Sequence, residues 1–270
     1  MLATSIIIGA VLIILIFLVI CIAGREGNPA TDRFMKIRYA HRGLHGEERP
    51  ENSLSAFSAA KERGYGIELD VHLTLDHSLA VIHDSSLERT AGDKRKIEEL
   101  TRADIKNIKL TGSGEHIPTF REVLQLVDGR VPLLIELKTD KNVKTLCSTL
   151  MYELRDYKGA YCIESFDPRV LMWFKKKAPE VVRGQLSQNF LKKGENLSLP
   201  LRLILSLLTL NIASQPDFVA FKYSDRRFVS NALSKHFWNT KGFAWTITDE
   251  ETLKAAEKKG YAVIFENIEP

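Results

Sequence analysis

No charged side chain occurs before Arg25 in this 270-residue chain. The stretch LATSIIIGAVLIILIFLVICIA has roughly the 20 apolar residues that a bilayer-crossing helix needs. It also lacks the marks of a cleaved signal: no basic residues precede it, and no small residues stand before a cut. Ile20, ahead of Cys21, is too large for a lipoprotein site. Residues 3–23 therefore read as one uncleaved transmembrane helix within an anchor segment, 1–24, with a linker at 25–35. Arg25, Arg33, Lys36 and Arg38 follow the span, whereas only the α-amino group precedes it. The positive-inside rule then puts a single-pass membrane protein's catalytic part in the cytoplasm.

Cysteine is scarce too. Cys21, Cys147 and Cys162 form no disulfide framework and are expected as free, buried thiols, with Cys21 inside the membrane. Acidic residues interleave with basic ones nearly everywhere, which excludes a nucleic-acid patch and leaves no nucleic-acid partner expected. The net charge of +4 and pI near 8.8 suit an anionic membrane surface or a phosphate-bearing substrate. Internal repeats and low-complexity tracts are absent.

What remains is an alternation. Short apolar runs fall at 36–40, 66–71, 132–138, 160–163, 181–186, 217–222, 242–247 and 261–265, and helical patterns separate most of them. Ser53 is placed to cap SLSAFSAAKERG and Gly64 to end it. Eight strand–helix units predict an α/β fold, a closed (β/α)₈ TIM barrel, over 36–270. A ninth run, 79–84, lies too close to the second strand for a helical crossover. Asp76-His77-Ser78 predicts a hairpin there and an extra strand at the rim. Residues 85–118 read as an insertion, and the helix that closes this excursion before the third barrel strand packs as the barrel's own.

Barrel enzymes place chemistry at the C-terminal ends of their strands. His41 and Arg42 end the first, Glu68 and Asp70 lie on the second, His83 and Asp84 end the rim strand, and Glu136 and Lys138 lie on the third. Alternation puts Glu68 and Asp70 on one face, and Glu136 and Lys138 likewise. Converging carboxylates are costly unless a cation neutralises them, so Glu68, Asp70 and Glu136 are read as ligands of a divalent metal, Ca²⁺ or Mg²⁺. His41 and His83 titrate near neutrality and suit paired acid–base work. Arg42 and Lys138 suit an anionic oxygen. A single strand carboxylate is ordinarily a salt-bridge partner; convergence from separate strands reverses that. His45, His72, His77 and His116 read as solvated or structural, Glu47, Glu48 and Arg49 as a solvated loop, and Glu51 and Asn52 as organisers of the helix start.

The segments AHRG, PENSLSAF, GIELDVHLTLDHSLAVIHD, LERTAG, PTFREVL and PLLIELK, and more loosely ESFDP, GQLS and AWTITDEE, resemble the glycerophosphodiester phosphodiesterase family over residues 36–265. The resemblance implies hydrolysis of glycerophosphodiesters to sn-glycerol 3-phosphate and an alcohol, with the glycerol 2-hydroxyl or a water attacking phosphorus. It assigns acid–base roles to His41 and His83, metal binding to Glu68, Asp70 and Glu136, and phosphate contact to Arg42 and Lys138. Trp245 resembles the family's pocket tryptophan, to pack on the glycerol or serve as barrel core, and Glu164 reaches the site from the fourth strand. One departure concerns the end. Family members often close with GVDGIITDYP and a further helix, whereas here KGYAVIFENIEP puts Glu266 and Asn267 in the Thr-Asp region, with the final helix absent or replaced.

Residues 200–212, PLRLILSLLTLNI, set Arg202, Ser206 and Thr209 as a narrow polar stripe against a broad apolar face. Such a helix either lies in lipid headgroups or covers the outside of the barrel. Two other functions compete: lysophospholipase D-type hydrolysis at the membrane, and a non-catalytic lipid-binding scaffold on the same barrel.

Overall fold

In a parallel sheet each strand must be covered on both faces, and the strands here are buried accordingly: all eight residues of the second are buried. The structure is a computed structural model and describes residues 2–139, 141–192 and 197–270. Met1, the first residue of the expected anchor segment, lies outside them. The strands are β1 (Arg38–Ala40), β2 (Gly66–Leu73), β3 (Leu79–Val81), β4 (Leu133–Leu137), β5 (Tyr161–Ser165), β6 (Arg183–Ser187), β7 (Phe218–Lys222), β8 (Lys241–Ile247) and β9 (Ala262–Phe265). Eight of them are parallel in the order β1-β2-β4-β5-β6-β7-β8-β9, and β9 returns to β1, which closes the expected barrel. β3 is the rim strand, antiparallel to β2 with Val71 opposite Val81. The turn between them places His77 at φ 61°.

The helices are α1 (Leu2–Cys21), α2 (Asp32–Met35), α3 (Leu54–Glu62), α4 (Glu88–Ala91), α5 (Arg102–Asn107), α6 (Phe120–Val127), α7 (Val143–Leu154), α8 (Pro168–Lys177), α9 (Leu199–Ser206), α10 (Asn211–Ser214), α11 (Val229–Trp238) and α12 (Glu250–Lys258). Ser53 Oγ accepts from Ala56 N at the start of α3, and Gly64 takes φ 74° just past its end. Thr119 and Glu122 form a reciprocal capping box on α6, which packs beside α3 as a barrel helix. The preceding insertion holds α4 and α5 around an apolar cluster of its own that includes Leu87, Ile97, Leu100, Ile105 and Ile117. Among the described residues, none after Phe265 is helical.

α1 is long and apolar enough to cross a bilayer, with a mean hydropathy of 3.1 over Thr4–Cys21, a property that signal sequences share. Its end behaves differently from its body. Ile22 is fully buried in the main core, and Cys21 beside it is a free, buried thiol. Trp238 Nε1 donates to Val19 O at 2.8 Å, and Arg25 N donates to Pro216 O at 2.8 Å. Residues 25–35, expected as a linker, are tied to the barrel: Asn28 Nδ2 donates to Asp217 Oδ1, and Phe34 is fully buried. Phe34 shares its cluster with Tyr39, Phe218 and Phe243, residues at or near the starts of their strands, and so plugs the end of the barrel opposite the catalytic mouth. Phe34→Ala is expected to cost about 4 kcal/mol, the usual range for deleting a buried ring; chemical unfolding of the two proteins checks it.

Candidate active site

Three of the site's carboxylates arrive on adjacent strands. The β2–β4 register sets Asp70 opposite Glu136, and the β4–β5 register sets Glu136 opposite Glu164. Glu68 precedes Asp70 by two residues and shares its face. All four are buried, and oxygens of Glu68, Asp70 and Glu136 come within 4.8 Å of one another.

Two cations stand against these four acids. Lys138 Nζ lies 2.7 Å from Glu136 Oε1 and 3.1 Å from Asp70 Oδ1. Arg42 Nε lies 3.5 Å from Asp70 Oδ2, and the Arg42 amide donates to Glu68 Oε2 at 2.8 Å. That amide contact needs an unusual backbone: Arg42 sits at φ 55°, in the left-handed region. Asn52, also at φ 55°, donates its amide N to Arg42 O and its side-chain nitrogen to Asp70 Oδ2 at 2.8 Å. Asn52, expected to organise the helix start, therefore holds the site itself.

The charge deficit appears in the titration behaviour. Burial, reinforced by Asp70 and Glu136, pushes Glu68 well above the usual carboxylate range. Burial raises Glu136 to about 7 against the pull of Lys138. Glu164 is likewise raised by burial and by Glu68 and Glu136, and its Oε2 is buried without a hydrogen-bond partner. Asp70 alone goes down, because Lys138, His83 and Arg42 outweigh its burial. A buried set of hard oxygen donors with surplus negative charge fits a hard divalent cation. Such an ion binds only when the carboxylates have lost their protons. Taking the site from pH 8 to pH 6 is thus expected to weaken Mg²⁺ or Ca²⁺ binding by about tenfold through Glu136 alone, and by more once Glu68 is included. Calorimetric titration at the two pH values measures it.

Both histidines have a carboxylate on Nδ1. His41 Nδ1 is 2.5 Å from Glu266 Oε2, and His83 Nδ1 is 2.6 Å from Asp84 Oδ1. In each ring Nε2 is left as the working atom; that of His41 stands 4.0 Å from Glu68 Oε2. His83 is lowered, chiefly by burial. The His41 contact holds Glu266 down at about 2, ionised throughout the working range. Behind His83 a relay of ion pairs runs from Asp84 to Arg89 at 2.6 Å, from Arg89 to Glu51 at 2.7 Å, and from Glu51 to Arg42 at 2.9 Å. Arg89 belongs to the insertion, which thereby braces Arg42 through Glu51.

These groups open on a cavity of about 380 Å³. His41, Arg42, Glu68, His83, Glu136, Lys138 and Glu164 form its polar side; Phe166, Leu186, Trp245 and Ile264 form the other. Of the catalytic, metal and substrate residues expected from the sequence, all but Asp70 line this cavity, and Asp70 reaches it through Lys138 and Arg42. Trp245 both lines the cavity and packs on the barrel cluster, with its ring edge-to-face on Phe166 at 5.9 Å. The sequence reading missed Glu266 and Arg89 as partners of the site, and Phe166. Glu266 left a trace, an acid directly after the last strand, the position from which barrel residues face the mouth.

Comparison with known proteins agrees with this geometry. The model of the glycerophosphoryl diester phosphodiesterase family matches residues 41–268. A glycerophosphodiester phosphodiesterase of Bacillus subtilis is 26% identical over 270 residues, 91% of this chain and 87% of its own. The lysophospholipase D GDPD1 of Rattus norvegicus is 30% identical over 124 residues, 41% of this chain and 39% of its own. In fold, the chain is similar to an Oleispira antarctica phosphodiesterase solved with its product sn-glycerol-3-phosphate, at a TM-score of 0.69 and 23% identity, covering 87% of this chain and 94% of that one.

Proposed function

The chain belongs to the glycerophosphoryl diester phosphodiesterase family, and from that premise we propose how its residues carry out the family's reaction. It is a phosphodiesterase that hydrolyses glycerophosphodiesters to glycerol 3-phosphate and an alcohol. The observation that carries the assignment of roles is the meeting of Glu68, Asp70 and Glu136 at a mouth flanked by two carboxylate-backed histidines and two cations.

Glu68, Asp70 and Glu136 hold a divalent cation, Mg²⁺ or Ca²⁺, which when bound supplies positive charge to a phosphoryl oxygen. Arg42 presents its guanidinium to the phosphate, kept in place by Glu51 and Asp70. Lys138 adds a second positive charge from the floor of the cavity. One histidine accepts the proton of the attacking hydroxyl at Nε2 as the new P–O bond forms. The other donates its proton to the leaving oxygen as the ester P–O bond breaks. Glu266 and Asp84 fix the tautomers and stabilise whichever ring becomes charged. Glu164 lines the same cavity, its carboxyl raised by burial and by Glu68 and Glu136.

α1 is the membrane anchor in this reading, single-pass, with the barrel in the cytoplasm as the charges after the span favour. A lysophospholipid is the second substrate that a specific feature supports. Phe166 stands edge-to-face between Trp245 and Phe190, at 5.9 and 5.8 Å, and makes an apolar wall leading away from the polar side of the cavity. The test uses the full chain in detergent, because Ile22 and Phe34 belong to the folded core. Release of sn-glycerol 3-phosphate from glycerophosphocholine, and of the corresponding headgroup alcohol from a lysophospholipid, is followed with and without chelator. Chelator-sensitive turnover is expected, and the preferred substrate separates soluble from lipid duty. Equal rates with and without chelator would refute the metal assignment.

A further inference from the structure

α9 is built the wrong way round for a helix on a water-facing protein. Its polar residues point inward: Ser206 is fully buried, its Oγ accepts from Phe190 N at 3.0 Å, and its carbonyl accepts from Ser230 Oγ at 2.7 Å. Arg202 lies back along the loop, donating through Nε to Phe190 O at 2.5 Å and through Nη2 to Lys192 O at 2.8 Å. The leucine side therefore points outward, with Leu199 61% and Leu203 40% exposed. The segment covers the outside of the barrel, and within α9 it is Arg202 and Ser206 that turn to the protein.

The exposure is not scattered. Among the described residues, every large exposed apolar side chain outside α1, apart from Leu75 and Tyr152, falls between Leu191 and Trp238. Ile212 of α10 and Val229, Phe237 and Trp238 of α11 add to the exposed apolar side chains of α9, and the start of α11 is tied to the end of α9 by the Ser230–Ser206 bond. Exposed apolar side chains grouped on neighbouring elements mark a contact with something apolar.

Two further observations identify the occupant. The end of α1 rests on α10 and α11 and is bonded to Trp238, so the apolar patch is continuous with the proposed anchor. The charge around it is one-sided: residues 197–240 carry five Lys or Arg and two acids, Asp217 and Asp225, both of them buried. A segment that carries exposed apolar side chains and more basic than acidic residues, with both acids buried, matches the headgroup region of an anionic bilayer.

We propose that α9, α10 and α11 form a membrane-seating face, so that the barrel lies with its side on the anionic lipid surface instead of hanging free below its anchor. Seated this way, the loop bearing Phe190, which α9 grips through Arg202 and Ser206, lies at the lipid surface and joins it to the aromatic wall of the cavity. The inference rests on the reading of α1 as an anchor, and the experiment separates the two.

Full-length protein carrying Leu203→Cys, labelled with a small fluorophore, is reconstituted in phosphatidylcholine–phosphatidylglycerol vesicles whose lipids bear bromine near the headgroup or at mid-bilayer. Phe237→Cys serves as a second reporter on the face, and Ile13→Cys reports on α1. The expected result is at least about twofold quenching of the 203 and 237 labels by shallow bromine and of the 13 label by deep bromine. Quenching of the 13 label by bromine, with the other two reached by aqueous iodide, would leave the anchor standing and overturn the seating face. Iodide reaching all three would overturn both. Labels at 203 and 237 protected from iodide and bromine alike would show that a protein, a second copy or another partner, covers the face, which also refutes the proposal.

Discussion

Glu68→Gln is expected to lower kcat/KM by about a thousandfold while making the metal-free protein more stable at pH 8. The activity loss follows from removing one of three charged oxygen donors: several kcal/mol of transition-state stabilisation is at stake, and each 1.36 kcal/mol is a factor of ten. The stability gain follows from linkage. A carboxyl whose folded pKa lies above its unfolded one binds its proton more tightly in the folded state. Its contribution is therefore complete below the unfolded value and is lost as the pH rises through the folded one. Glu68 is raised well above its ordinary range by burial and by Asp70 and Glu136, so near pH 8 the wild-type fold bears the cost of that buried group. Gln keeps the shape and the bond from the Arg42 amide without the ionisation. Turnover and thermal melting of the two chelated proteins at pH 6 and pH 8 give the comparison. Loss of activity with no gain in stability at pH 8 would mean that Glu68 is not the strained carboxylate described above.

The second large effect concerns His41 and the acid behind it. His41→Gln is expected to reduce kcat by about a thousandfold, within the range for a positioned acid or base. Glu266→Gln should cost about a hundredfold, because an amide at Nδ1 no longer selects the tautomer or stabilises the charged ring. The double variant is expected to be no worse than His41→Gln alone, since Glu266 acts through the ring. Additive losses would assign Glu266 a separate role.

The parts of this protein that could be read from sequence are those governed by local periodicity. Apolar runs two residues in period, Ser53 at a helix start and the short Asp76-His77-Ser78 link each declare themselves within a few residues, and the barrel with its rim strand follows from their order. Placing Glu68, Asp70, Glu136 and Lys138 at one mouth was equally legible, because alternation and parallel register set which side chains share a face. Three features were not. The bond between His41 and Glu266 joins residues 225 positions apart and exists only because β9 closes onto β1. Asn52 looked like a helix organiser, and only the left-handed turn at Arg42 and Asn52 brings its amide onto Asp70. A helical wheel drew the polar stripe of α9 correctly, but the stripe does not say on which side the protein lies. The sequence by itself determined the strands, the barrel and the residues at its mouth, because these depend on nearest-neighbour spacing; the tertiary structure decided which acid backs which histidine and which face of α9 meets the outside, because those depend on contacts made only when distant segments are packed together.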